Sequence, residues 1–330
     1  MFSFSPAIKL KAKTVRIRAK IARFIINKGR YIINKGPFIY VYEWDAWDNY
    51  LFTLLFKSAI RIKAGIAQKN KYILNQVTRH NGYFLFHINL SETSRFFENK
   101  ETLCERLKSR NIKYLNKDIV DISKKFVQDT CFLLGLNCTR AFPDGDPDEL
   151  LIIKSNDNYG GIKENKLTAD QKIKLGITIT SSDQNVEYTV TERRNIEQNI
   201  WDDRSLVIER YISNTENLHY RVYKVNKRVV ISEVNDDNLI KKMPDGIKRT
   251  NFCFDALADD LHGTERADMN ELYFIINKFC SHVNLDFGAI DVVRDDNNQF
   301  YIIDINTTPF WGIKSHHEAG LFKFLSGALN

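Results

Sequence analysis

The sequence predicts an α/β protein, α+β in its larger part, in which a small parallel α/β domain precedes two further α+β subdomains. Three observations support this fold class. Strand-like and helix-like segments alternate over residues 37–118, polar and glycine-containing loops separate further strands over residues 119–330, and residues 1–36 carry a basic helical pattern instead. We therefore expect three units: a basic arm (1–36), a small α/β domain (37–118) and a main unit (119–330).

Length and composition permit two folded domains and exclude several classes of protein. The chain has 330 residues, of which 43% are hydrophobic and 27% are charged, as is ordinary for globular proteins. Its five cysteines are scattered and form no CxxC pair, so neither a disulfide framework nor a zinc site is expected. No apolar run reaches the length of a membrane span, and the first residues lack the order of a secretory signal. We therefore expect a reducing, cytoplasmic location.

Positive charge is concentrated in the arm. Residues 1–36 contain ten Lys or Arg and no acid, which leaves 38 basic against 41 acidic residues, a net charge of −3, for residues 37–330. Apolar residues of the arm recur at spacings of three and four, which predicts an amphipathic helix, at Ile8, Ala12, Val15, Ala19, Ala22 and Ile26. Such a helix packs on its own protein or a partner subunit, or binds peripherally to an anionic membrane surface; nucleic acid is the least favoured partner.

Residues 37–118 alternate between predicted strands and helices. The pattern predicts strands over 38–42, 83–88 and 112–115, and helices over 47–67 and 100–110. This order indicates a small parallel sheet covered by helices. The first strand is not followed by GxGxxG, so the sequence carries no dinucleotide fingerprint there.

A lysine and two glycines follow the first predicted strand of the main unit. A helix is predicted over 117–134 with Gly135 as its C-terminal cap, and a strand over 150–154 ends at Lys154. The next loop contains Gly160 and Gly161, which let backbone N–H groups approach phosphate oxygens closely, and a lysine neutralises phosphate charge. The loop is no P-loop, because GxxxxGK[ST] is missing, and by itself it also fits an ordinary surface turn.

A predicted buried strand over 206–208 leads into a polar connection. Its residues are Glu209, Arg210, Tyr211 and Ile212, and Glu216 stands seven residues after Glu209. A hairpin over 220–225 and 228–233 follows, in which Arg221 points either into a cleft, where it would contact phosphate, or to solvent. His219 could act as a proton acceptor, but it is interpreted as a turn residue.

Three oxygen-bearing side chains lie on the last predicted hairpin, over residues 287–312. Two apolar runs flank the turn at 295–298, and each run contains an acid that core packing does not require. Asp304 and Asn306 are two residues apart and project to one face of their strand, and Asp291 can face them from the neighbouring strand. Mg²⁺ prefers such oxygen ligands, so this hairpin predicts a magnesium site.

In this order, the signals resemble the nucleotide site of the ATP-grasp superfamily, and D-alanine–D-alanine ligases in particular. The resemblance implies two α+β subdomains that clasp ATP, a helix lysine at Lys124 or its neighbour Lys125, and a hinge that offers backbone groups to adenine. It implies ATP and Mg²⁺ as cofactors, with two ions and Mn²⁺ as a substitute. The cofactor-binding residues implied are Lys124, Lys154, Gly160, Gly161, Glu209, Arg210, Tyr211, Ile212 and Glu216, with Glu216 on ribose, and the metal ligands are Asp291, Asp304 and Asn306.

The resemblance also implies a reaction. ATP-grasp enzymes activate a carboxylate as an acylphosphate and then join it to a nucleophile, here an amine, with Lys154 and Arg221 as the catalytic residues. Small-molecule carboxylate and amine substrates are the expected partners, and a homodimer stays open. A kinase acting on a small-molecule hydroxyl and a non-catalytic scaffold are the alternatives.

Two positions depart from the pattern of D-alanine–D-alanine ligases. Asp304 stands where glutamate is commoner, and its shorter side chain still permits metal binding. Ala289 stands two residues before the first metal acid, where those ligases have an arginine that stabilises the developing oxyanion. The second departure argues against D-alanyl ligation and leaves Arg221 or Arg294 as substitutes.

Overall fold

A computed structural model describes residues 38–177, 188–238, 249–256, 265–311 and 318–329. The predicted amphipathic arm lies outside these residues. In the described part, no helix has both the length and the apolar character needed to cross a membrane.

The first domain alternates strands and helices: β1 (Phe38–Glu43), α1 (Leu51–Leu55), β2 (Ile60–Lys63), α2 (Asn70–Gln76), β3 (Gly82–His87), α3 (Lys100–Lys108) and β4 (Ile112–Leu115). The four strands form a parallel sheet in the order β2-β1-β3-β4. One face of this sheet packs against helices α2 and α3, and the other packs against the rest of the molecule. The central strands are almost wholly buried, as parallel strands covered on both faces are.

The predicted helix over residues 47–67 is wrong. The helix α1 covers only Leu51–Leu55, and Ile60–Lys63 form β2, which pairs in parallel with β1. Ile60 and Ile62 are β-branched and alternate with polar residues, which suits a strand better than a helix. The strand is further held by Arg61, which pairs with the buried Glu43 of β1 at 2.5 Å.

Helix α4 spans Lys124–Leu133, seven residues shorter at its start than predicted. Ser123 sets this start, because its side chain accepts a hydrogen bond from the Phe126 backbone N–H. The predicted cap at Gly135 is confirmed: its φ is +63°, and its N–H donates to the Phe132 carbonyl at 3.1 Å.

The rest of the described chain forms two antiparallel sheets with helices between their strands. The elements are β5 (Leu150–Ser155), α5 (Ala169–Leu175), β6 (Thr189–Glu192), α6 (Gln198–Asp202), β7 (Leu206–Arg210), β8 (Leu218–Val225), β9 (Arg228–Asn235), β10 (Arg249–Asp255), α7 (Ala267–Val283), β11 (Phe287–Arg294), β12 (Phe300–Asn306) and α8 (Ala319–Ser326). The smaller sheet has the order β6-β5-β7, and the larger has the order β10-β9-β8-β11-β12. With the parallel sheet they make the mixed α/β fold that the sequence predicts.

The two faces of the larger sheet have different neighbours. One face carries Val222, Ile290 and Val292 and packs against α7 and α4 in a single apolar core. At one end, the other face carries Tyr223 and Ala289, which pack against α8, α1 and the parallel sheet. Polar residues occupy the remainder of this second face, which we call the polar face.

Candidate active site

Asp291, Asp304 and Arg221 lie side by side on the polar face. Asp291 of β11 stands opposite Asp304 of β12 on one side and opposite Arg221 of β8 on the other. Asn306 stands one step along β12, opposite Ala289. The normal alternation of β12 places Asp304 on the same side as Asn306 and Ile305 in the core, and the pairing register shifts only beyond Asp304, between Asp291 and Val292, where β12 has a β-bulge.

Arg221 contacts both oxygens of Asp291. Its Nη1 lies 2.8 Å from Oδ1 and 2.6 Å from Oδ2, and only 12% of its side chain is exposed. Burial by itself would lower the pKa of Arg221, but the Asp291 carboxylate raises it, and the net shift is upward. Of the two orientations left open by the sequence, the structure therefore has Arg221 pointing into the site.

Asp304 has a buried carboxylate that is incompletely hydrogen-bonded. Its Oδ1 is buried and has no hydrogen-bond partner. Burial raises the pKa of Asp304, and so does Asp291, whereas Lys124, Lys154 and Arg221 act to lower it. A buried carboxylate oxygen with cations around it and no hydrogen bond fits a metal ligand.

Lys154 and Glu209 form a buried ion pair on the smaller sheet. Glu209 of β7 stands opposite Ile152 of β5, two residues from Lys154, so both side chains project from the same face. Lys154 Nζ lies 2.5 Å from Glu209 Oε2, while Glu209 Oε1 is buried without a hydrogen-bond partner. A predicted phosphate ligand and the first hinge acid are thus bound to each other.

The structure distinguishes the two candidate lysines of α4. Lys124 is 2% exposed, and its Nζ donates to the Asp157 backbone carbonyl at 2.8 Å. The side chain of Lys125 is 64% exposed and pairs with Asp129 one turn along the helix. Lys124, not Lys125, therefore reaches the site.

The glycine loop is attached to α4 and to the parallel-sheet domain. Tyr159, Gly160 and Gly161 all have left-handed backbones, with φ of +52°, +66° and +72°. The Asn158 N–H donates to the Ser91 hydroxyl at 2.7 Å, and the Ser91 N–H donates to Glu164 Oε1 at 2.6 Å. Backbone bends of this kind turn N–H groups toward one side, which is the arrangement a phosphate requires.

The hinge residues continue from β7 along the same sheet. The Arg210 N–H donates to the Thr139 carbonyl at 2.7 Å, and the Tyr211 N–H donates to the Leu150 carbonyl at 2.9 Å. These two N–H groups are therefore engaged within the chain, and Ile212 follows with a half-buried side chain. The adenine contact remains a prediction.

Glu216 and Arg294 lie away from this group. Arg294 forms ion pairs with Glu216 and with Asp268 of α7, and so belongs to the helix-covered face of the larger sheet. The carboxylate of Glu216 is largely exposed. Ribose binding by Glu216 stays a prediction, and Arg294 does not face Asp291.

Two further residues of the site were not identified from the sequence. His219 is a buried strand residue of β8, two positions from Arg221 on the polar face, so its interpretation as a turn residue is wrong. Tyr188 comes immediately before Thr189, which pairs with Ile153, so it lies beside Lys154. Burial raises the pKa of Tyr188, and Asp304 and Asp291 raise it further. The alternation of Tyr188, Val190 and Glu192 is the signal that could have indicated a strand there.

The donor set fits Mg²⁺. Two carboxylates and one amide are hard oxygen ligands, and Mg²⁺ completes its shell with water and phosphate oxygens. Within the described ranges, no group of three or more His, Cys, Asp or Glu side chains could hold a metal ion, and Asn306 as a third oxygen ligand stays a prediction. Its Oδ1 already accepts a hydrogen bond from the Thr308 N–H at 2.8 Å, which fixes the orientation of the amide.

Comparison with known proteins finds likeness only among solved structures. No family model matches the sequence, and no curated protein matches it. An L-amino acid ligase from Bacillus licheniformis is 9% identical, with a TM-score of 0.48 over 90% of this chain and 75% of that one. N5-carboxyaminoimidazole synthetase from Staphylococcus aureus is 13% identical, with a TM-score of 0.46 over 89% of this chain and 77% of that one.

A third solved structure is D-alanine–D-alanine ligase from Bacillus anthracis in complex with ATP. It is 12% identical, with a TM-score of 0.45 over 89% of this chain and 95% of that one. The solved structures to which this chain is similar also include one that is named an ATP-grasp ligase.

Proposed function

We propose that this protein is an ATP- and Mg²⁺-dependent ligase of the ATP-grasp type, which activates a carboxylate as an acylphosphate and joins it to an amine. One observation carries the proposal. Asp304, Asp291 and Arg221 stand side by side on three neighbouring strands, and the charges of Lys124 and Lys154 act to lower the pKa of Asp304 against the effect of its burial. Two acids beside an arginine, with two lysines that act on the same carboxylate, suit a magnesium triphosphate.

In this proposal the two antiparallel sheets hold ATP between them. Lys154 and Lys124 exchange their present partners, Glu209 and the Asp157 carbonyl, for phosphate oxygens. Backbone N–H groups around Gly160 and Gly161 approach the same phosphates. Asp291, Asp304 and Asn306 hold Mg²⁺, which neutralises charge on the phosphate oxygens.

The reaction then has two steps. A carboxylate oxygen of the acid substrate attacks the γ-phosphorus, the bond from that phosphorus to the β–γ bridging oxygen breaks, and ADP leaves. The amine attacks the acyl carbon and loses a proton, and inorganic phosphate leaves as the amide forms. The lysines and loop N–H groups keep the attacking and leaving oxygens in line, which is most of what phosphoryl transfer requires.

Arg221 is the residue we propose for stabilising the developing negative charge. It adjoins Asp291 on the polar face, whereas Arg294 is engaged by Glu216 and Asp268 on the other face. A guanidinium fixed in a poorly hydrated site stabilises an oxyanion more strongly than the same group in water. In this proposal Arg221 stabilises the oxyanion, as an arginine at the position of Ala289 does in D-alanine–D-alanine ligases.

Hydroxylamine provides the test. The protein is incubated with ATP, Mg²⁺, hydroxylamine and candidate acids, and ADP and hydroxamate are measured together. We expect hydroxamate in proportion to ADP, because hydroxylamine traps an acylphosphate. ADP with a stable phosphorylated product instead would indicate a kinase, and no nucleotide consumption with any acid would favour a scaffold.

We further propose that the ligase works in the cytoplasm. All five cysteines are free, which suits a reducing compartment. Contact of the basic arm with an anionic membrane, and assembly into a homodimer, are proposals that rest on the sequence of the arm alone.

A further inference from the structure

The polar row that contains Asp304, Asp291 and Arg221 continues across the remaining strands of the larger sheet. Ser232 of β9 stands opposite Arg221, and Asn251 of β10 stands opposite Ser232. The Ser232 hydroxyl donates to Asn251 Oδ1 at 2.6 Å. A band of polar side chains therefore crosses all five strands from the proposed metal site to the edge strand β10.

A second arginine lies at the far end of this band. Arg249 of β10 is two residues from Asn251 and therefore projects from the same polar face. Its Nη2 donates to the Trp311 backbone carbonyl at 2.9 Å, and its Cζ lies 5.3 Å from the centre of the Trp311 ring. Its Nη1 is buried and has no hydrogen-bond partner.

Arg249 differs in this respect from Arg221. Arg221 is paired with Asp291, but Arg249 forms no ion pair with a carboxylate in the described part of the chain. A guanidinium has five N–H donors and no acceptor, and leaving one buried without an acceptor is unfavourable. An anionic ligand group would remove that deficit.

Two buried aromatic rings, tilted against each other, lie between the arginines. The Trp311 and Tyr223 ring centres are 4.2 Å apart, and the Arg221 Cζ lies 5.8 Å from the Tyr223 ring. Because neighbouring strands are about 4.8 Å apart, the backbones of β8 and β10 are about 10 Å apart. The polar face thus carries two guanidinium groups packed on one buried aromatic pair, with the proposed metal site beside the first.

We propose that Arg249 binds a second anionic group of the acid substrate, most simply a second carboxylate, while the carboxylate to be activated lies near Arg221. The proposal rests on the ligase function proposed above and adds its substrate class. Trp311 and Tyr223, both fully buried, would hold the two arginines in position, and Arg249 would determine specificity and take no part in the bond changes. A planar guanidinium matches a carboxylate with two parallel hydrogen bonds.

The test compares acids that differ in one group. Suberate, a dicarboxylate of eight carbons, and octanoate, its monocarboxylate counterpart, are each offered to the full chain with ATP and Mg²⁺. ADP formation gives KM and kcat, and binding is measured separately by calorimetry with a non-hydrolysable ATP analogue. We expect the KM of suberate to be at least about tenfold below that of octanoate, the effect of one charge-assisted pair.

Variants of Arg249 identify the source of that preference. Arg249→Gln should raise the KM of suberate about tenfold and leave the KM of octanoate unchanged, and Arg249→Lys should restore part of the difference. Arg266→Gln is the matched control, because Arg266 stacks on Phe252 at 5.5 Å on the opposite face of the same sheet. It should leave both KM values unchanged.

The outcomes separate the inference from the function on which it rests. Equal binding of suberate and octanoate by the wild type, no binding of suberate, or an equal effect of Arg249→Gln on both acids would overturn the role of Arg249. If the wild type fails to bind the ATP analogue, the proposed function itself fails, and with it this inference.

Discussion

At the scale of single residues, the candidate site contains buried charges that are incompletely paired. Asp304 and Glu209 each have one buried carboxylate oxygen without a hydrogen-bond partner, and Arg221 and Lys154 form ion pairs with Asp291 and Glu209. Buried charges of this kind cost stability unless they are well paired. Their presence together is characteristic of a functional site.

Asp304→Asn should therefore stabilise the protein when no divalent ion is present. The pKa of Asp304 is higher in the folded than in the unfolded protein, so folding favours the protonated carboxyl. The free energy of unfolding therefore falls as the pH rises from the unfolded pKa through the folded one. At pH 7.5 we expect the free energy of unfolding of the variant to exceed that of the wild type by roughly 1 kcal/mol, with no difference at a pH below the unfolded pKa. Urea unfolding with a chelator measures it. Asp170→Asn, at an exposed position, should show no gain, and a loss of stability in Asp304→Asn would contradict the assignment.

The adjacent lysines of α4 offer a second comparison. Lys124→Ala and Lys154→Ala should each lower kcat/KM for ATP by about 100-fold, because each removes a charge from the triphosphate site. Lys125→Ala should change it less than about threefold, since that side chain is exposed and contacts Asp129. Circular dichroism of all three variants verifies that they fold. Wild-type ATP consumption by Lys124→Ala and Lys154→Ala would disprove the nucleotide site.

Single residues also show where sequence reasoning succeeds. Asp291, Asp304 and Asn306 could be placed together because a strand has a period of two and a hairpin fixes its partner strand. The choice between Lys124 and Lys125, and the position of Tyr188, depend on contacts with elements distant in sequence. Arg249 could not be identified from the sequence for the same reason, because the Trp311 ring on which it packs belongs to the connection after β12.

At the scale of elements, the glycine loop connects three parts of the molecule. The Asp157 backbone carbonyl in this loop accepts a hydrogen bond from Lys124 of α4, and the Asn158 N–H donates to the Ser91 hydroxyl of the parallel-sheet domain. Lys163 continues this attachment through an ion pair with Asp45. The loop is thus attached both to α4 and to the parallel-sheet domain.

Alanine substitutions in the loop test its left-handed backbone. Gly160→Ala and Gly161→Ala each place a Cβ at positive φ, which costs about 1 kcal/mol, and in Gly161 the Cβ would also lie 3.3 Å from Asp157 Oδ2. We expect both variants to raise KM for ATP, Gly161→Ala about tenfold and Gly160→Ala less. Gly135→Ala is the control, because Gly135 has a φ of +63° and open space but ends α4. It should lower thermal stability without affecting KM; a similar rise in KM would show that the loop has no special role.

Elements also mark the limit of local patterns. The sequence predicts one helix over residues 47–67 because Leu51, Leu54 and Leu55 recur at helical spacing, yet the chain turns after Leu55 and forms β2. The parallel partner strand β1, with Glu43 as counter-ion for Arg61, decides the outcome. Tertiary pairing overrides local propensity here, and no sequence window contains that information.

At the scale of the whole molecule, an aromatic interface joins the parallel sheet to the larger antiparallel sheet. His87, at the end of β3, packs between Tyr50 and Phe52, with ring centres 4.7 and 4.8 Å away, and faces Phe287 of β11. Both of its ring nitrogens are buried without a hydrogen-bond partner in the structure described. The imidazole is thus used as a neutral aromatic group within the domain interface.

This arrangement makes stability depend on pH through His87. Burial, aided by Arg61, lowers the pKa of His87 from 6.5 to about 3. Between these values the unfolded chain binds a proton that the folded chain does not, so the free energy of unfolding should fall by about 1.4 kcal/mol per pH unit as pH decreases below 6.5. Urea unfolding at pH 7.5 and pH 5 measures this loss of unfolding free energy. In His87→Phe the loss between the two pH values should be smaller than in the wild type by roughly 2 kcal/mol. His282→Phe, at an exposed position of α7, serves as the control and should lose stability as the wild type does. Equal losses in the wild type and His87→Phe would mean that the imidazole is protonated in the folded protein, and the interface would then have to open to water near neutral pH.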